Sequence, residues 1–140
     1  MFAMGSGDVR ALDRRRVIHL GRVPYPRSWQ FMYHAHVGLV PALGEHPNHN
    51  ESTKIYHYLR AGLPTVCEEG FPNQGLVEEA RLGFVVKNGD LEQLADRMVE
   101  AASRDWDREA ACRLILAHHT WDHRAQVYHR LIQRDFGRGS

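Results

Sequence analysis

The sequence predicts an α/β fold built on an open parallel sheet with helices on both faces. Short apolar runs rich in valine alternate along the chain with amphipathic segments of helical spacing. The apolar runs are continuous, as expected for strands buried on both faces of a parallel sheet. Strands that alternate with helices form right-handed βαβ units. At 140 residues, the chain is long enough to bury one substantial core.

Five strands are predicted first, each from a short apolar run that is followed by turn-forming or polar residues. They lie at residues 2–4, 17–20, 37–40, 64–67 and 84–86. Six helices are predicted from the spacing of their apolar residues. They lie at residues 28–34, 52–61, 74–82, 91–102, 105–118 and 121–134. Gly62 and Pro64 stop the second helix, and Asp90 caps the fourth.

The last two helices have no strand after them. We therefore expect them to pack back across the sheet or against another domain. Three tryptophans, Trp29, Trp106 and Trp121, occur at helical spacing with other apolar residues, and we predict that they are packing anchors.

Composition excludes several classes of protein. Lys plus Arg is 18 and Asp plus Glu is 17, so the net charge of +1 gives no general reason to expect nucleic acid as a partner. No apolar run approaches the roughly 18 residues that span a bilayer, and the N-terminus lacks the apolar stretch of a signal peptide. Two cysteines, Cys67 and Cys112, argue against a disulfide scaffold and indicate a reducing compartment. We expect a cytoplasmic protein.

The number of histidines, ten in 140 residues, is unusually high, and such a composition suggests a metal-binding site. His46 and His49 lie on one loop, and His119 and His123 flank a break between two helices. Zinc needs three or four converging ligands, and no thiol or carboxylate stands at a matching spacing. We therefore predict no metal site. The two cysteines are predicted to be small core residues, although Cys67 lies close enough to the ligand edge to leave a reactive role open.

The start of the second helix is the most informative stretch. In an open parallel sheet, ligands bind outside the carboxyl ends of the strands, and this helix follows such an end. Its first turn holds Ser52, Thr53 and Lys54, where unpaired N–H groups and the helix dipole favour an anion. His57 follows one turn along on the same face. The same residues also fit a simple cap with a solvated lysine, so phosphate binding and capping both stay open.

Six segments in order carry a resemblance to a known family. They are VIHLGRVPY (17–25), YHAHVGLVP (33–41), STKIYHYLRAGLPTV (52–66), LVEE (76–79), GFVVKNGD (83–90) and WDHRA (121–125). The third resembles the S-x-K-x-x-E-Y-L-A-A-G-x-P-V-V motif of GT-B glycosyltransferases of group 1. Together they resemble the C-terminal, donor-binding domain of that family over residues 2–133. The resemblance implies a Rossmann-like domain at 1–136, followed by a tail at 137–140, and a fold that is one half of GT-B.

The resemblance also implies roles for particular residues. Gly21, Arg22 and Val23 would meet the nucleotide base, chiefly through backbone groups. Ser52 and Thr53 at the helix tip would meet the diphosphate.

Three further positions complete the implied donor site. Lys54 would add positive charge beside the diphosphate. The family has a glutamate on the ribose hydroxyls where this chain has His57, and a glutamate on the donor sugar where it has His49. An imidazole can donate to or accept from a hydroxyl but is not a carboxylate. The chain resembles bacterial glucuronosyltransferases, a minority of the family that also lacks the second glutamate while keeping the S-x-K.

The function implied is binding of a nucleotide diphosphate sugar, in particular a UDP-sugar, in polysaccharide biosynthesis, with no separate cofactor. From the resemblance, we expect that these residues include neither the acceptor domain of the family nor the first strand of the donor domain. The acceptor would therefore be held by an N-terminal domain or a partner subunit, and the isolated chain would be inactive. A truncated sheet edge would also allow pairing with a second copy. The alternative is a nucleotide-binding or assembly module without catalysis, and a phospholipid-linked acceptor would place the protein at the inner membrane face.

Overall fold

The computed structural model describes residues 1–5, 8–42, 44 and 49–137. The chain divides into two units, Met1–His34 and Ala35–Ser140. Among the described residues, five strands and six helices occur in the predicted order, and every paired strand runs parallel to its neighbour. The five strands pair as two sheets, one in each unit.

The first unit holds two short strands and one helix. Strand β1 (Phe2–Ala3) pairs in parallel with β2 (Ile18–His19), and helix α1 spans Tyr25–His34. The Leu20 N–H donates to the Ala3 carbonyl at 2.9 Å, which extends the pairing by one residue. Among the described residues of this unit, Met32 alone is buried.

The second unit holds a three-stranded parallel sheet in the order β3-β4-β5. Its elements, in chain order, are β3 (Gly38–Val40), α2 (Thr53–Arg60), β4 (Thr65–Glu68), α3 (Gly75–Glu79), β5 (Gly83–Val86), α4 (Leu91–Ser103), α5 (Arg108–His118) and α6 (Trp121–Phe136). Every residue of β4 is buried, including the polar Thr65 and Glu68, as expected for a strand covered on both faces. This arrangement is the predicted Rossmann-like α/β class.

The core of the second unit lies on both faces of β4. Consecutive side chains of a strand point to opposite faces. Cys67 belongs to the cluster formed with α2, α3 and α5, whereas Val66 packs with Val86 and Ala101 in the cluster that includes α4. Helices therefore cover both faces of the sheet, as predicted.

Local signals explain where the helices begin. The Asp90 carboxylate accepts from the Gln93 N–H at 2.9 Å, which confirms the predicted cap of α4. Asp107 caps α5 in the same way through the Ala110 N–H at 2.9 Å, so that helix begins three residues later than predicted.

The three tryptophans have different surroundings. Trp106 is a packing anchor, as predicted: its ring lies 5.5 Å from that of Phe84, and its indole N–H donates to the Ala101 carbonyl at 2.9 Å. Trp29 is half-buried on α1. The prediction is wrong for Trp121, which is 83% exposed on a helix, α6, that buries no residue. The apolar spacing of α6 predicts a core-facing stripe, but that stripe faces away from the described core.

Candidate functional site

The N-terminal end of α2 lies beyond the carboxyl end of β3. Ser52 is its N-cap residue, in an extended conformation, and its side chain makes no capping hydrogen bond. Thr53 and Lys54 form the exposed first turn. No described residue accepts a hydrogen bond from either of their N–H groups, whereas the N–H of Ile55 donates to the Ser52 carbonyl at 3.2 Å. The capping interpretation of the Ser52 hydroxyl is therefore wrong for this structure, and the helix end is open to an anion.

The opposite face of α2 fixes this helix to the core. Ile55 and Leu59, one turn apart, are both fully buried. Their burial leaves Thr53 and Lys54 on the solvent side.

His57 shares the exposed side of α2 but is half-buried. Burial, and secondarily the positive charge of Arg60, lowers the pKa of its imidazole below 6.5. The ring is therefore neutral at pH 7, with one nitrogen that donates and one that accepts. A neutral imidazole of this kind can bind a hydroxyl group.

Asn73 anchors the beginning of α2, a role that the sequence analysis did not predict. It lies in the loop after β4, is 5% exposed, and contacts a residue 21 positions away. Its side-chain oxygen accepts from the Ser52 N–H at 2.8 Å, and its side-chain nitrogen donates to the Ser52 carbonyl at 3.0 Å. No local pattern could have shown this pairing, because only the fold brings the two loops together.

Glu68 performs a similar task at the end of β4. Its buried carboxylate accepts from the Ala42 N–H at 2.8 Å and from the Gly89 N–H at 3.0 Å. These two residues follow β3 and β5, respectively. One side chain at the end of β4 thus connects the loops that follow β3 and β5, at the edge where ligands bind in such folds.

A polar cluster connects α2 to α6. Arg124 donates to the Glu51 carboxylate at 2.7 Å and to the Tyr56 hydroxyl at 2.8 Å. The hydrogen bond from Arg124 holds the pKa of Glu51 below its usual range. His119 lies against Tyr56 with ring centroids 6.1 Å apart. Glu51 directly precedes Ser52, so this cluster borders the open helix end.

The remaining predicted donor residues lie apart from this helix in the chain. His49 is exposed and precedes α2 by four residues. Gly21, Arg22 and Val23 follow β2 in the first unit. The Gly21 carbonyl accepts from the Gly5 N–H at 2.9 Å, and its φ of +65° favours glycine. A shallow groove of about 550 Å³ lies on that unit, lined by Met4, Gly5, Arg22, Val23, Pro24 and Ser28.

The described residues form no group of three or more histidine, cysteine, aspartate or glutamate side chains that could hold a metal ion. His118 and His123 pair edge to face at 6.2 Å without a third ligand among those residues. His46, which the sequence paired with His49, lies outside the described residues. Burial raises the pKa of the Cys67 thiol to about 12, so it is not a nucleophile at neutral pH.

In the described part of the chain, no helix is both long and apolar enough to cross a membrane. Among curated proteins, none matches the chain. A family model described as "Glucosyltransferase 3-like, C-terminal domain" matches residues 38–111, which is more than half of the 140 residues. The match runs from β3 into α5 and contains the open end of α2, together with Glu68 and Asn73. The chain therefore belongs to the glucosyltransferase 3-like C-terminal domain family, and it is a glycosyltransferase module.

Proposed function

We propose that this chain is the donor-binding half of a GT-B glycosyltransferase and that it binds a UDP-sugar at the open end of α2. The sugar would pass to an acceptor held by an N-terminal domain or a partner subunit. The observation that carries the proposal is the family match across β3, α2 and β4, combined with a helix end whose first two N–H groups have no acceptor among the described residues.

The charges at this end suit a diphosphate. The N–H groups of Thr53 and Lys54 point out of the first turn, where the helix dipole is positive. Lys54 adds a full positive charge on an exposed side chain, which can reach a phosphate oxygen. In sugar transfer, the bond between the anomeric carbon and the β-phosphate oxygen breaks, and the diphosphate gains negative charge. An open helix end with a lysine would stabilise that leaving group.

His57 and His49 suit the hydroxyl groups of the donor. His57 is neutral at pH 7, so it can donate to one hydroxyl or accept from it. His49 is exposed four residues before the helix, and the resemblance assigns this position to contact with the donor sugar.

The first test is a titration of the 140-residue chain with UDP and with ADP, followed through the backbone amide signals. We expect the signals of residues 52–57 to shift with UDP, at an affinity in the micromolar to millimolar range, equivalent to about 4–8 kcal/mol. Smaller shifts of these signals with ADP would indicate that the protein distinguishes uracil from adenine. The proposal fails if neither nucleotide moves these signals.

Replacing Lys54 by alanine tests the diphosphate contact. We expect Lys54→Ala to weaken UDP binding about ten- to a hundredfold, the loss of one charge-assisted hydrogen bond. Arg108→Ala is the matched control, because it removes the same charge beside Gly62, at the other end of α2. Equal losses in both variants would show a general charge effect and contradict the assignment of Lys54.

A further inference from the structure

The beginning of α2 is held by a side chain from another loop. Helices commonly use the N-cap side chain to fix their first turn, but Ser52 makes no such bond here. The Asn73 amide instead binds both backbone groups of Ser52, at 2.8 Å and 3.0 Å. These bonds restrain the peptide groups on each side of Ser52, and they occupy its N–H. The N–H groups of Thr53 and Lys54 are left for a ligand.

We infer that Asn73 is a positioning residue, which sets the direction of the free N–H groups of α2 toward the donor diphosphate. This inference rests on the proposed function. Asn73 is suited to the task because its amide supplies one donor and one acceptor, and Ser52 presents the complementary pair. The Asn73 side chain is buried and bonded to the backbone of Ser52, so it acts through α2 and not by contact with the ligand.

The loop that carries Asn73 is itself held in place. The Gln74 side-chain oxygen accepts from the N–H groups of Gly70 and Phe71, at 2.7 Å and 3.1 Å. Neighbouring amide side chains thus have separate tasks, since Gln74 closes its own loop and Asn73 holds α2. Gln74→Ala is therefore a matched control for Asn73→Ala.

The experiment compares UDP with uridine, which lacks the diphosphate, in the wild-type chain, Asn73→Ala and Gln74→Ala. Affinities are measured by amide shifts. In Asn73→Ala, we expect UDP to bind at least about fivefold more weakly, while the affinity for uridine changes less than about twofold. Gln74→Ala removes the bonds to Gly70 and Phe71 but keeps both bonds to Ser52, so it should weaken UDP binding clearly less than Asn73→Ala does. Equal losses of UDP affinity in the two variants would overturn the inference. Asn73→Asp keeps the acceptor for the Ser52 N–H and serves as the second variant if Asn73→Ala does not fold.

Several results would overturn the inference. One is unchanged UDP affinity in a folded Asn73 variant. Another is an equal loss for UDP and uridine, because a general loosening of the site would affect both. A third is that neither Asn73→Ala nor Asn73→Asp folds, because Asn73 would then be required only for the fold. Failure of the proposed function gives a distinguishable result, because the wild-type chain would then bind neither UDP nor uridine. In that case the inference about Asn73 would also be wrong.

Discussion

His57 shows how burial, more than any nearby charge, sets the protonation state of a candidate site residue. Its imidazole is half-buried on α2, and loss of hydration disfavours the charged form more than the nearby positive charge of Arg60 does. The resulting neutral ring is suited to binding a hydroxyl group, but the folded protein loses stability at low pH. Below pH 6.5 the imidazole of His57 takes up a proton in the unfolded chain. In the native chain it stays neutral until the pH falls to its lowered pKa.

We therefore expect His57 to make the protein sensitive to acid. Because its pKa is lowered on folding, the stability it contributes is complete above pH 6.5 and is lost as the pH falls through the native pKa. Urea unfolding at about pH 7.5 and about pH 5.5 should show a smaller loss of stability in His57→Gln than in the wild-type chain. An equal loss in both chains would mean that His57 titrates alike in the folded and unfolded states.

Single residues also show which parts of the candidate site can be predicted from the sequence. Ser52, Thr53, Lys54 and His57 can be identified because helix spacing is a local property, and the structure places all four on or directly before α2. Asn73 cannot, because its partner lies 21 residues away and an asparagine in a loop normally indicates a turn. Glu68 escapes prediction for a related reason: the sequence places it in a loop, but it is the last residue of β4 and is buried against two backbone N–H groups.

At the scale of elements, the sequence predicts the type and order of all five strands and six helices. Boundaries differ where tertiary contacts decide them. Helix α3 spans only Gly75–Glu79, which is shorter than its apolar spacing predicts. The helix ends early because Arg81 has a φ of +49°, outside the helical range, and Leu82 is buried beside β5. The role of α6 could not be predicted, because an amphipathic pattern identifies an apolar face and does not identify what covers it.

The packing of α2 against β3 depends on a glycine. A Cβ atom at Gly38 would lie 2.5 Å from the Tyr58 ring, so the strand and the helix approach closely only because that position has no side chain. Gly38→Ala should destabilise the fold by about 1–3 kcal/mol through overpacking. Urea unfolding provides the measurement.

Gly75→Ala is the matched control for that substitution. Gly75 begins α3, and a Cβ atom at this position would have no neighbouring atom within 4 Å. Alanine there should be neutral or stabilising by about 0.5–1 kcal/mol. If both substitutions changed stability alike, the contact with Tyr58 would not be the cause.

For the whole molecule, the division into two units matters most. The sequence predicts one domain over 1–136, and that boundary stays a prediction. The second unit has a core on both faces of its sheet, with Val66 and Cys67 fully buried. The first unit has strands of two residues each and only Met32 buried among its described residues. Because buried apolar surface supplies most of the stability of a fold, the two units should differ in local stability.

Hydrogen exchange of two comparable amides tests this difference. The Leu20 N–H donates to the Ala3 carbonyl at 2.9 Å in the first unit, and the Thr65 N–H donates to the Leu82 carbonyl at 3.0 Å in the second. Both hydrogen bonds have similar lengths, so a difference in protection must come from the ease with which each region opens. We expect the Leu20 amide to exchange at least about a hundredfold faster, equivalent to about 2.7 kcal/mol in opening free energy. Equal protection would instead mean that both regions open together, as a single domain over 1–136 requires.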